Sequence, residues 1–190
     1  KVISLISDAG TPTISDPGIV LINKCIDDKI KIFPIPGPSS VTSAVSVSGF
    51  SDKYIFYGFL KKKEKELERV FKDLSQFNYT IVFFIPSPKI DFYLNEFKKY
   101  FADRKILIAK EMTKIHEDYI RESVQSIISL PAKLKGELTV VLSEKIGQKN
   151  IKKEMHESVK MEILNMLRKY TVKDVVEYIT KKENLPKKLV

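Results

Sequence analysis

The stretch Val2-Ile3-Ser4-Leu5-Ile6-Ser7-Asp8-Ala9-Gly10-Thr11-Pro12, continued by Thr13-Ile14-Ser15-Asp16-Pro17-Gly18, decides the fold class. Val2–Ser7 is an apolar run of strand length, and Asp8–Pro17 is dense in turn formers. Gly18–Lys29 then reads as a helix, with Ile19, Leu21, Ile22 and Ile26 giving a broad apolar face. Ile30–Ile35 is a second run of strand length. Pro36-Gly37-Pro38-Ser39-Ser40 is a turn that becomes the N-cap of a small-residue helix through Val47. Strand, helix, strand, helix in that order predicts a parallel α/β sheet. Three of the 7 glycines and five of the 9 prolines fall between Gly10 and Pro38, so the irregular backbone is concentrated in these two loops.

Gly49-Phe50-Ser51-Asp52 breaks the pattern and marks a boundary. Beyond it the periodicities predict strands at Tyr54–Phe59, Tyr79–Ile85, Ile106–Lys110 and Gly136–Ser143, with His116–Arg121 as a hairpin partner. Helices are predicted at Lys61–Phe77, Pro88–Tyr100 and Val124–Leu130. Short links between these elements predict a mixed sheet. The last segment differs: a helix over Ile151–Tyr170, a second opened by Thr171 with Asp174 as its capping-box acceptor, and a third starting at Asn184-Leu185-Pro186. The expected organisation is residues 1–50 as part of one α/β domain, 51–145 as a second and 146–190 as a basic helical tail.

Composition narrows the function classes. With 190 residues, 43% hydrophobic and 10% aromatic, the chain can bury a core and is not disordered. Its single cysteine excludes a disulfide framework and a Cys-based zinc site. No apolar run reaches the ~18 residues that span a bilayer, so no membrane partner is expected. The net charge of +9 is graded: 0 over residues 1–50, +3 over 51–144 and +6 over 145–190. That gradient fits a polyanion met by the second half, and equally a set of lysine-decorated solvated faces. The chain opens at Lys1, directly ahead of an apolar run. A buried strand needs a pairing neighbour, so a segment preceding it is expected.

Two loops concentrate the candidate chemistry. Ser7, Asp8, Ala9, Gly10, Thr11 and Pro12 follow a predicted strand, where open α/β sheets bind ligands. Small residues let backbone approach a ligand, and Asp8 can accept from an amine or a ribose hydroxyl. No Gly-Lys-Ser/Thr makes this a phosphate-binding loop, and no G-x-G-x-x-G makes it a dinucleotide fingerprint. A structural turn needs far fewer turn formers. The second loop, Pro36, Gly37, Pro38, Ser39 and Ser40, offers hydroxyls and free helix N–H groups, and reads equally as a plain N-cap. Lys61, Lys62, Lys63, Lys65 and Arg69 form a basic patch suited to phosphate, or a solvated face paired with Glu64, Glu66 and Glu68.

Taken together, VISLISDAGTPTISDPG, PIPGPSSVTSAVSVSGF, YIFYGFL, KEMTKIHEDYIRESV and KGELTVVL resemble the tetrapyrrole methylase superfamily. Within it they resemble the branch of bacterial small-subunit ribosomal RNA (cytidine-2′-O)-methyltransferases. They occur in that branch's order from residue 2 to 142. The resemblance implies two α/β domains with S-adenosyl-L-methionine in the cleft between them, a homodimer, and a cytoplasmic enzyme. It implies methylation of a cytidine ribose 2′-hydroxyl in the decoding region of small-subunit ribosomal RNA, presented free or as the 30S particle. It places the cofactor at residues 7–12 and 36–40, and Lys110, Glu111, Thr113, Lys114, His116 and Glu117 near the cleft on the RNA side. Lys110 or Lys114 would then help electrostatically and Glu111 or Glu117 would serve as base, while His116 and the residue 61–65 lysines would meet RNA.

Three departures stand out. The Pro-Ile-Gly-Asn loop and Glu-Asp-Thr-Arg block that the family carries ahead of SDAGTP have no counterpart here. Pro86 replaces a family glutamate, and Lys61 replaces the proline that usually follows Gly-Phe-Leu. Two rival readings remain: a small-molecule methylase acting on a tetrapyrrole or diphthamide precursor, and a non-catalytic RNA-binding module of the same fold.

Overall fold

Alternating apolar residues in five segments build one sheet. A computed structural model describes residues 1–61, 63–127, 136–146 and 157–183, with the side chains of 157, 158 and 160 excepted. Expectations for Lys62, for the end of the Val124–Leu130 helix, for the start of the Ile151–Tyr170 helix and for the helix at Asn184 lie outside the described residues. The chain divides into two compact units, Lys1–Lys145 and Ile146–Val190.

In the first unit the strands are β1 (Tyr54–Phe59), β2 (Thr80–Pro86), β3 (Lys105–Lys110), β4 (Asp118–Ser123) and β5 (Glu137–Leu142), in the spatial order β1-β2-β5-β3-β4. Only β1 and β2 are parallel; the other three pairings are antiparallel. The sheet is therefore mixed. β1, β2 and β3 run the same way, so their C-terminal ends share one edge with the starts of β4 and β5.

Period-two alternation assigns the faces. Ile81, Phe83, Ile85, Ile106, Ile108, Leu138, Val140 and Leu142 point to one side. There they meet Leu67, Phe71 and Leu74 of α3 (Glu64–Ser75) and Ile90, Tyr93, Leu94 and Phe97 of α4 (Ile90–Tyr100). Phe71 sits at the centre, its ring 5.4–6.1 Å from those of Phe83, Phe97, Tyr100 and Phe101. Val82, Leu107, Ala109 and Val141 point the other way, onto Val41, Ala44 and Val45 of α2 (Ser40–Ser48).

Among the described residues of this unit, Arg104 is the one charged residue buried completely in the core. Nη1 donates to the carbonyls of Tyr79 at 2.7 Å and Ser143 at 2.6 Å, and Nη2 donates to that of Phe77. Burial pushes the guanidinium below its ordinary pKa, while Asp103 and Glu144 pull it back. The side chain thereby satisfies three carbonyls at the edge opposite the C-terminal ends of β1–β3.

The first fifty residues depart from the sequence reading. α1 (Ile19–Asp27) and α2 form, but residues 2–7 and 30–35 take no regular secondary structure and join no ladder. A strand exists only through its partner's hydrogen bonds, and neither segment pairs with the other or with β1. Val2, Ile3, Ile6, Phe33 and Ile35 are more than three-quarters exposed, and α1 buries no residue. Val124–Ser126 forms a turn closed on Ser123 rather than the start of a helix.

In the second unit, α5 (Glu157–Met166) packs on α6 (Val172–Glu183) through Val159, Ile163, Met166, Val175 and Ile179. Thr171 Oγ1 accepts from Asp174 N–H at 3.4 Å, as the capping pattern predicts, while the Asp174 carboxylate takes the Thr171 hydroxyl at 2.6 Å, a side-chain bond rather than the backbone bond of a capping box.

Candidate functional site

The edge carrying the C-terminal ends of β1, β2 and β3 gathers the polar residues singled out in the second half of the first unit. Lys61 and Lys63 follow β1, and both are exposed. Lys65 lies one turn on, at the exposed start of α3. Register pairs Pro86 with Glu137, and Lys110 with both Leu138 and Asp118. The β3–β4 connection, residues 111–117, therefore projects from this edge beside Gly136. Ligands of open α/β sheets occupy the same kind of edge.

That connection is highly structured. Glu111 (φ 49°) and Thr113 (φ 67°) occupy the left-handed region despite carrying side chains. Backbone turns close it, with Lys114 N–H donating to Glu111 C=O at 3.0 Å and Glu117 N–H to Lys114 C=O at 3.1 Å. Lys114 Nζ stands 3.0 Å from Glu111 Oε1, and a Cβ on Gly136 would stand 2.6 Å from that same oxygen, so a side chain there would push the Glu111 carboxylate aside, while Gly136 itself holds left-handed backbone at φ 82°. Glu117 Oε2 accepts from Thr113 N–H at 2.5 Å and Oε1 accepts from the Tyr119 hydroxyl at 2.9 Å. These two bonds, Thr113 first, hold the Glu117 carboxyl below its ordinary pKa, and the same bond raises that of Tyr119. Lys114, Ile115 and His116 form the exposed tip, where Ile115 is 97% exposed. Tyr119 carries no mark in the sequence beyond its place two residues after Glu117.

The two glycine-containing loops keep to themselves. Ser7 Oγ donates to the carbonyls of Ala9 at 3.3 Å and Gly10 at 3.4 Å, and Ile14 N–H closes a turn on Thr11. Asp8, Ala9, Gly10 and Thr11 are exposed, and Pro12 is half-buried. Gly10 (φ 70°), Thr13 (φ 71°) and Ser15 (φ 62°) all occupy left-handed backbone. In the second loop, Ser39 Oγ accepts from Thr42 N–H at 3.4 Å, while Pro36, Gly37, Pro38 and Ser40 are exposed. Nothing stands within 4 Å of where a Cβ on Gly10 or Gly37 would lie, which leaves both backbones open to a ligand. Among the described residues no hydrogen bond joins these loops to each other. The first approaches the sheet closely elsewhere: Ser15 Oγ would stand 3.1 Å from a Cβ on Gly58 of β1.

Residues 1–128 match the family model of Tetrapyrrole (Corrin/Porphyrin) Methylases, a span that holds both loops and the whole β3–β4 connection. The chain belongs to this family. Among similar proteins, this tetrapyrrole methylase is 44% identical over 148 residues to Ribosomal RNA small subunit methyltransferase I of Thermotoga maritima, covering 76% of the chain and 66% of that protein. It is 35% identical over 156 residues to the protein of the same name from Mesomycoplasma conjunctivae, covering 82% of the chain and 65% of that protein. The tetrapyrrole methylase chain thus spans just under two thirds of the length of these relatives. Its fold is similar to that of the methyltransferase CobJ, with a TM-score of 0.53 at 14% identity over 71% of this chain and 62% of that one. Among the described residues no helix of this tetrapyrrole methylase is long and apolar enough to cross a membrane.

Proposed function

We propose that the protein transfers a methyl group from S-adenosyl-L-methionine to the ribose 2′-hydroxyl of a cytidine in the decoding region of small-subunit ribosomal RNA. The observation that carries this reading is the 44% identity over 148 residues to a relative named for small-subunit ribosomal RNA methylation. The domain roles follow from it. Residues 1–50 belong to the cofactor lobe, 51–145 form the second lobe, and 146–190 are a basic tail that meets RNA. The working form is a cytoplasmic homodimer acting on ribosomal RNA or the 30S particle.

The loop residues fit the cofactor. Gly10 and Gly37 leave open space at their α-carbons, and the exposed Asp8 carboxylate suits an ammonium or a ribose hydroxyl. Ser7, Asp8, Ala9, Gly10, Thr11 and Pro12 would hold it on one side, and Pro36, Gly37, Pro38, Ser39 and Ser40 on the other. When bound, the cofactor supplies a methyl carbon activated by a sulfonium. The residues of this chain would hold the ribose 2′-oxygen in line with that carbon, and a base would take up the hydroxyl proton. An in-line displacement draws much of its rate from positioning. Lys110 and Lys114 would stabilise the developing alkoxide, and Lys61, Lys63, Lys65 and His116 would hold the RNA at the same sheet edge.

Incubation with methyl-labelled cofactor tests the reading, with 30S particles and a free tetrapyrrole as competing acceptors. Label in the RNA is expected. Label in the tetrapyrrole alone would transfer the protein to the small-molecule branch of its family.

A further inference from the structure

We propose that Glu117 and Tyr119 are positioning residues that lock the Thr113–Glu117 loop in the shape presenting Lys114, Ile115 and His116 to the RNA, and that Glu117 is not the general base. The inference rests on the methyl-transfer reading above and assigns roles within its RNA-facing loop.

Geometry is the ground for it. The residue 111–117 connection has two side-chain-bearing residues at positive φ, Thr113 at the head of this loop and Glu111 just before it, and keeps that conformation only where its surroundings hold it. Glu117 supplies the hold: one carboxylate oxygen takes the Thr113 N–H at the loop's start, and the other takes the Tyr119 hydroxyl beyond its end. Tyr119 is a firm anchor, because its backbone pairs with Ala109 in the sheet. Its ring lies 5.4 Å from the Arg121 guanidinium, which donates through Nη2 to the Val47 carbonyl at 2.7 Å. Val47 is in the last turn of α2, the helix whose N-cap belongs to the Pro36–Ser40 loop. Hydrogen bond, ring contact and hydrogen bond thus run from the RNA-facing loop to the helix that follows the proposed cofactor loop. With the carboxylate committed at both oxygens, what the loop presents outward is its tip. There Ile115, almost fully exposed between Lys114 and His116, suits the face of a nucleobase flanked by phosphates.

Steady-state kinetics on 30S particles, with cofactor affinity measured in parallel, tests the assignment using Tyr119→Phe, Glu117→Ala and Glu117→Gln. Tyr119→Phe should raise KM for the particle by about 2- to 10-fold, the worth of one hydrogen bond, with cofactor affinity unchanged and kcat, through Lys114, lowered by no more than a similar factor. Glu117→Ala should raise it further. Glu117→Gln should recover most of the loss, because its amide oxygen still accepts from Thr113 N–H. The proposal is overturned if Glu117→Gln instead lowers kcat by about 100-fold or more at unchanged KM and removes the acid limb of the kcat–pH profile. It is equally overturned if all three variants match the wild type. Failure of the wild type itself to methylate 30S particles would refute the methyl-transfer reading, and the proposal with it.

Discussion

The Ser15 hydroxyl lies over the one point of β1 that has no side chain. A Cβ on Gly58 would stand 3.1 Å from Ser15 Oγ, and Gly58 holds φ 83° where the β1–β2 register shifts. A glycine is needed twice over: for the left-handed backbone and for the approach of the Thr11–Gly18 loop to the sheet.

Gly58→Ala is therefore expected to destabilise the protein by about 1 kcal/mol or more. Ser15→Ala on top of it should recover only part of that loss, since relieving the contact leaves the backbone strain. Urea unfolding of both variants measures this; full recovery in the double variant would mean that backbone conformation contributes nothing.

Arg104 gives a larger effect. Replacing it with methionine preserves bulk but leaves the carbonyls of Phe77, Tyr79 and Ser143 without their shared donor. The expected loss is about 2–3 kcal/mol, since stranding the buried Ser143 carbonyl costs about 1–3 kcal/mol and the part-buried carbonyls of Tyr79 and Phe77 add less. Equilibrium denaturation reads it directly, and a loss below about 1 kcal/mol would show that water replaces the guanidinium there.

How much of this was legible in the sequence depends on what each segment needs from outside itself. β1 to β5, α3 and α4 carry their own patterns: Leu67, Phe71 and Leu74 recur at helical spacing, and Ile81, Phe83 and Ile85 alternate. Their partners lie within the same unit, so pattern and structure agree. Residues 2–7 and 30–35 have equally clear strand patterns, yet apolarity does not supply a pairing edge, and both stay unpaired. For the candidate site, the family resemblance grouped Lys110, Glu111, Thr113, Lys114, His116 and Glu117 near a cleft, while the strand expected at His116–Arg121 starts two residues later, at Asp118, so that His116 and Glu117 fall in the connection. That grouping could not reveal that Glu117 is engaged at both oxygens, because Tyr119 reaches it only through the hairpin geometry. Arg104 went unmarked for a similar reason: its three carbonyl partners come from distant turns.

Acid should loosen the 113–117 loop before the sheet. The Glu117 carboxyl is held below its ordinary value, so the bond's contribution is full above the value it has in the unfolded chain. That contribution is lost as pH falls through the lower folded value. Amide exchange at Thr113, followed from neutral pH downward, should show protection collapsing in that acidic range. Glu117→Ala should remove the protection at every pH. Protection that persists in Glu117→Ala would mean another group holds the turn.

Asp8→Ala should weaken binding of S-adenosylhomocysteine by about tenfold or more, the worth of a charge-assisted hydrogen bond. The variant should remain as stable as the parent because the side chain is exposed. Calorimetry reads the affinity, and an unchanged value would remove Asp8 from the cofactor loop.

The central claim is that the acceptor is a ribose hydroxyl of ribosomal RNA. Nucleoside mass spectrometry of small-subunit RNA, after incubation of 30S particles with the protein and S-adenosyl-L-methionine, tests it most directly. The account predicts 2′-O-methylcytidine at a decoding-region position, absent without protein. A methyl group found on a base, or RNA left unmodified while a tetrapyrrole is methylated, would contradict it.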